Sequence, residues 1–206
     1  MLRLQLFPLG EAVWHKKGDM ALIKARRALP PFDQTALQEL ALRYVGKYAT
    51  TRAKLRGYLS RKLRERGWDG EREPDLEALA NRFAELGYLD DAGYALGQSR
   101  SLSSRGYGKR RLADKLRAAG VEEGDSAAAN EHADSEAVAA ALRFAERRRL
   151  GPFAAVTGDR PQRERWIAAM VRAGHKYGLA RIIMNLNPDQ VIDVDELCSR
   201  MQFNDT

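Results

Sequence analysis

The chain has 206 residues, 44% apolar, 31% charged and 8% aromatic, and carries 35 Lys and Arg against 28 Asp and Glu, a net charge of +7. That apolar content supports a folded core, and the single cysteine excludes an internal disulfide framework or a cysteine-cluster zinc site. The basic surplus favours an anionic partner, and no window approaches the run of about 18 apolar residues that a membrane helix needs.

Residues 1–33 differ from the rest and read as a flexible N-terminal arm. Leu2, Leu4, Leu6 and Phe7 are broken by Pro8 and Gly10, and the basic run His15-Lys16-Lys17 follows them, the reverse of a secretory signal. Met20 offers a second candidate start, and Pro30-Pro31 stops any helix running through. From Asp33 the pattern is helical. Asp33 or Thr35 is positioned to cap a helix whose stripe is Leu37, Leu40, Ala41, Tyr44, Val45 and Tyr48. Leu55, Leu59 and Leu63 define a second helix that ends at Gly67. Pro74-Asp75 opens a third, with Leu76, Leu79, Ala80 and Phe83 on one face, closing at Gly87. No window alternates apolar and polar residues with a period of two, so the fold class is all-α.

A repeat organises these helices. Leu59-Ser-Arg-Lys-Leu63-Arg-Glu-Arg-Gly67 and Leu112-Ala-Asp-Lys-Leu116-Arg-Ala-Ala-Gly120 share Leu-x-x-Lys-Leu-Arg-x-x-Gly. Trp166-Ile-Ala-Ala-Met170-Val-Arg-Ala-Gly174 is a weaker third copy that keeps the apolar positions and the glycine. Repeats of this length stack so that no unit buries its apolar face alone. The expected array is elongated or curved, with three-helix units over 34–89, 90–134 and 135–187 and an acidic tail over 188–206. Leu59, Leu63, Leu112 and Leu116 are expected to be buried at equivalent positions. The third unit is expected to be interrupted by Gly151-Pro152 and the polar stretch from Thr157 to Gln162.

Catalytic patterns fail on inspection. Gly106-Tyr-Gly108-Lys109 lacks the Ser or Thr of a phosphate loop, since Arg110 follows, and no strand precedes it. It reads as a turn that starts a helix. Asp90-Asp91, with no basic or histidine partner nearby in sequence, reads as a helix cap. His15, His132 and His175 show no metal spacing and read as surface or partly buried side chains. Cys198 lies in an acidic segment that would raise a thiol pKa. The expectation is a protein that is not an enzyme and takes no cofactor or metal.

The basic residues remain. The second helix of the first unit carries Arg52, Lys54, Arg56, Arg61, Lys62, Arg64 and Arg66; its counterpart carries Lys109, Arg110, Arg111, Lys115 and Arg117. One such helix reads as a solvated face, but the repeated bias suggests a continuous basic surface suited to phosphates or to an acidic protein groove.

Gly87-Tyr-Leu-Asp90-Asp91, Arg105-Gly106-Tyr-Gly108-Lys-Arg-Arg-Leu112 and Leu116-Arg-Ala-Ala-Gly120-Val121 together resemble the signature of the bacterial RecX regulatory proteins. Tyr44-Val45, Thr50-Thr51-Arg52-Ala-Lys-Leu55 and Leu63-Arg-Glu-Arg-Gly67 resemble that family's first unit. The likeness runs from Thr35 to Arg181 and thins in the third unit, where Arg172-Ala-Gly174-His175 resembles the family's glycine–aromatic close. It implies a non-enzymatic cytoplasmic monomer that lodges in the groove of the RecA–DNA filament. Such proteins limit filament extension and depress RecA ATPase and strand exchange, although some members tune filaments positively. The expected roles are therefore in recombination, DNA repair and the SOS response. The expected binding surface is Arg52, Lys54, Arg61, Lys62 and Arg64 with Lys109, Arg110, Arg111, Lys115 and Arg117, touching the RecA filament and single- or double-stranded DNA. Two alternatives stand beside it: a basic DNA- or RNA-binding helical module without RecA specificity, and a scaffold for protein partners only.

Overall fold

The computed structural model describes residues 29–188 together with Asp193, Val194 and Leu197. Most of the expected arm and acidic tail, with His15, Met20 and Cys198, lies outside the described residues. The helices run in chain order: α1 (Gln34–Lys47), α2 (Arg52–Arg66), α3 (Leu76–Glu85), α4 (Asp91–Ser104), α5 (Lys109–Ala118), α6 (Ala127–Ser135), α7 (Ala137–Arg148), α8 (Arg160–Arg172) and α9 (Tyr177–Met184). Short 3₁₀ turns lie at Gly124–Ser126 and Gly151–Phe153. The described residues form no strand, only an isolated bridge between Phe32 and Trp68. The all-α expectation is met.

Local chemistry starts these helices. Asp33, Asp75, Asp90 and Asp159 each accept a hydrogen bond from the backbone N–H three residues on, at 2.7–2.9 Å. Each satisfies an N–H that would otherwise lack a partner. Asp33, not Thr35, is the cap of α1. Asp91, by contrast, does not cap its own helix: it is buried inside the first turn of α4.

The helices pack around three clusters. Leu37, Leu55, Leu59, Leu79 and Phe83 form the first, on α1–α3. Ala95, Leu102, Leu112, Leu116, Ala129 and Ala133 form the second, on α4–α6. Phe144, Met170, Leu179, Ile183 and Met184 form the third, on α7–α9, which Leu197 joins. Among the described residues, no helix of the first group packs closely on a helix of the second or the third, whereas α7 packs on α4 and α6. Leu59, Leu112 and Leu116 are buried as expected, whereas Leu63 is only partly covered at the edge of its cluster. Gly151 and Pro152 do not simply interrupt the third group; they are buried in its 3₁₀ turn, and α8 starts within the polar stretch, at Arg160.

One docking rule joins the groups. At the end of α5, the Ala119 carbonyl accepts the Thr51 hydroxyl at 2.6 Å, just ahead of α2. The same hydroxyl oxygen caps α2 by accepting from Lys54 N–H at 3.2 Å. At the end of α8, the Ala173 and Gly174 carbonyls accept from Gly108 and Arg110 N–H at 3.0 and 3.1 Å, at the start of α5. Gly174 has φ +98°, and a Cβ there would stand 2.5 Å from the Arg111 nitrogen. Only glycine allows both that conformation and that approach. Among the described residues, the end of α2 has no preceding group to meet. Phe32 sits there instead, its N–H bonded to the Gly67 carbonyl at 3.0 Å and its own carbonyl accepting from Asp69 N–H at 2.8 Å. Phe32 is buried, so the described end of the expected flexible arm is packed.

Candidate filament and nucleic-acid interface

Several expected surface cations are engaged within the fold. Arg52 bridges the first two groups: its Nε lies 3.2 Å from Asp91 Oδ2, and its terminal nitrogen 2.5 Å from Asp125. Its backbone N–H donates to Asp91 Oδ1 at 3.0 Å. The hydrogen bond to Asp91 raises the Arg52 pKa further above its ordinary value. Asp91 therefore has the basic partner that its neighbours in sequence did not supply. Lys54 crosses the same seam, donating to the Tyr94 hydroxyl at 2.6 Å with its ammonium 4.7 Å from the ring centre.

Further along α2, Lys62 and Arg61 share Glu65 at 2.5 and 3.9 Å. The hydrogen bond from Lys62 is the main cause that holds the exposed Glu65 carboxyl below its ordinary pKa. Arg64 donates to Ser60 at 3.3 Å, and Arg56 pairs with Glu77. Arg66 bonds the Pro30 carbonyl and lies over the Phe32 ring. On α5, Lys109 pairs with Asp134 at 2.5 Å and Arg117 with Asp114 at 3.1 Å. Arg110, Arg111 and Lys115 are exposed and meet no carboxylate within ion-pair distance among the described residues.

Between the second and third groups lies a cleft of about 900 Å³, whose walls include Lys109, Arg110, Asp134, Val138, His175 and Tyr177. Gly108 serves as the N-cap position of α5 beside it, consistent with a turn and not a phosphate loop. His175 is buried, unlike the surface or partly covered side chain expected of it. Its Nε2–H donates to the Gly106 carbonyl at 3.1 Å, and burial pushes its pKa below the ordinary value. His132 is partly buried, its Nδ1 3.0 Å from the Ser99 hydroxyl. Among the described residues no three His, Cys, Asp or Glu side chains are grouped as metal ligands. No helix among them is long and apolar enough to cross a membrane.

Sequence reasoning named Arg111 as a binding residue but not Arg105 or Arg147, which gather with it at Tyr107. Gly106, at φ +75°, turns the chain after α4, and Tyr107 N–H bonds back to the Leu102 carbonyl at 2.9 Å. A Cβ on Gly106 would stand 2.8 Å from the Phe144 nitrogen, so this turn lies directly on α7. The Arg105, Arg111 and Arg147 guanidinium carbons then fall 5.9, 5.6 and 5.8 Å from the Tyr107 ring centre. Arg147 belongs to a different group of helices, and only the turn geometry could have placed it here.

Fold and surface together define an all-helical array, with three small cores in sequence and cations along its helices. The regulatory protein RecX of Myxococcus xanthus (strain DK1622) is 34% identical over 182 residues, covering 84% of this chain and 95% of that protein. RecX of Agrobacterium fabrum (strain C58) is 28% identical over 148 residues, covering 70% and 79%. The chain belongs to the RecX family of regulatory proteins. The crystal structure of RecX from Lactobacillus salivarius superposes with a TM-score of 0.52 at 16% identity, covering 82% of this chain and 96% of that one. That likeness concerns the fold. No family model matches the chain.

Proposed function

We propose that this chain binds the RecA–DNA filament and depresses RecA ATPase and strand exchange, as a cytoplasmic, non-enzymatic monomer. The observation that carries this reading is the match to a RecX regulatory protein over nearly that protein's whole length. The sequence of three helix groups supports it, because groups that pack mainly on neighbours can follow a repetitive partner. We take the groups as units over 34–89, 90–134 and 135–187. The contact surface proposed is Lys54, Arg61, Lys62 and Arg64 with Lys109, Arg110, Arg111, Lys115 and Arg117; Arg52 contributes by holding the first seam. The deciding measurement is RecA ATPase on single-stranded DNA with increasing amounts of this protein. A dose-dependent fall is expected, and an unchanged rate with saturating protein would overturn the reading.

A further inference from the structure

We infer that the arginine cluster at Tyr107 is a phosphodiester-binding site, through which the chain holds a nucleic-acid strand directly. The inference deepens, and rests on, the reading of the basic face as a surface that meets DNA.

Three exposed guanidiniums, from the end of α4, from α5 and from α7, converge on one partly buried ring. No carboxylate among the described residues pairs with Arg105, Arg111 or Arg147, so no ion pair compensates their positive charge. The contrast with α2 matters, because there Arg52, Arg56, Arg61 and Lys62 all have acidic partners. A shallow pocket of about 410 Å³ opens beside two of these arginines, walled by Arg105, Tyr107, Arg111, Asp114 and Lys115, with Arg147 outside its walls. The one acid there, Asp114, is taken by Arg117.

The ring steadies the cations without neutralising them, since attraction to its face leaves guanidinium N–H groups pointing elsewhere. Arg105 spends two donors on Ser101, which fixes its direction. The arrangement thus offers several planar forks and a net positive charge. A phosphodiester strand carries one fixed negative charge per nucleotide, and each phosphate offers a guanidinium fork two oxygens. That match to planar, unpaired forks makes a phosphodiester chain the occupant, with an acidic polypeptide as its competitor in the test. The position is also stable: the Gly106 turn and the packing of Tyr107 against both the second and third cores hold it in place.

The test measures RecA-free binding of a labelled thymidine oligonucleotide of about 30 nucleotides by anisotropy across a salt series. A duplex of the same length shows which form of phosphodiester is preferred. R111E/R147E is expected to bind at least about tenfold more weakly, with a shallower dependence on salt, because each lost phosphate contact removes roughly 0.7 from the single-strand slope. R82E/R165E changes charge equally at exposed positions elsewhere and is expected to bind close to the parent. If R111E/R147E loses helical content, R111Q/R147Q decides instead. Equal binding by the cluster variant and the R82E/R165E control overturns the inference, as does a parent with no salt-sensitive binding. Tighter binding of poly-L-glutamate than of the oligonucleotide would also overturn it and make the site one for acidic protein. Such failures leave the RecA reading standing. Cluster-dependent DNA binding with no effect on RecA ATPase would instead remove that reading alone.

Discussion

Asp91 shows how one buried side chain joins two groups of helices. It is 6% exposed and bonds both the backbone and the guanidinium of Arg52, 39 residues away. Removing one member of a buried pair leaves the other charge without compensation. The seam still admits some water, since 27% of the Arg52 side chain is exposed. Asp91→Ala should therefore cost about 2–3 kcal/mol in urea denaturation, less than a fully buried pair would lose. Asp114→Ala removes an exposed pair and should change stability by less than about 0.5 kcal/mol. His175 gives a second, pH-dependent test at this scale. Burial holds its folded pKa below 6.5, so the unfolded chain takes up a proton first as pH falls. Its contribution is complete above that value and is lost as pH drops toward the folded pKa. His175→Gln, which keeps a donor for Gly106, should flatten the fall in thermal midpoint between about pH 7 and 5.5 relative to the parent. An equally steep fall in the variant would show that other groups cause it.

At the scale of elements, glycines set which helix ends can dock. Gly174→Ala would force a side chain onto φ +98° and against the Arg111 backbone, and should cost more than about 2 kcal/mol by chemical denaturation. Gly57 lies inside α2 with nothing within 4 Å of where an added methyl group would stand, so Gly57→Ala should stabilise by about 0.5–1 kcal/mol. Much at this level is legible in the chain. The leucine stripes, the aspartate caps and the repeated terminal glycines are short-range signals, and the helices begin and end near them. The site was legible only in part. Arg110, Arg111 and Lys115 stand out as a basic run, but Arg105, Tyr107 and Arg147 are brought together by a turn and a seam that no local pattern encodes. Arg52 looked like one more surface cation because its partners, Asp91 and Asp125, come from later helices. Leu63 continues the leucine stripe but falls at the margin of the first core, since a four-residue spacing drifts around a helix of 3.6 residues per turn.

For the whole molecule, the division of the described helices among three cores makes truncation informative. A cut after Val121 would strip Ala129 and Ala133 from the second core, so the proper boundary follows Ser135, at the end of α6. A chain ending there keeps two complete groups but loses α7–α9 and the Arg147 contribution to the Tyr107 cluster. It should retain helical content by circular dichroism and leave preformed RecA–DNA filaments faster than the full chain. If the groups bind together, linkage raises the local concentration of the second contact, and avidity gains of about 100-fold can follow. Equal dissociation rates from a folded truncation would mean that the third group makes no filament contact.

Phe32 has a consequence for copies of the chain in solution. Elsewhere the end of a repeated helix presents a carbonyl to the preceding group. Phe32 already occupies that place on α2 and covers the Gly67 carbonyl. That end of α2 therefore offers a second copy of the chain no free Gly67 carbonyl of the kind through which the helix groups dock within one molecule.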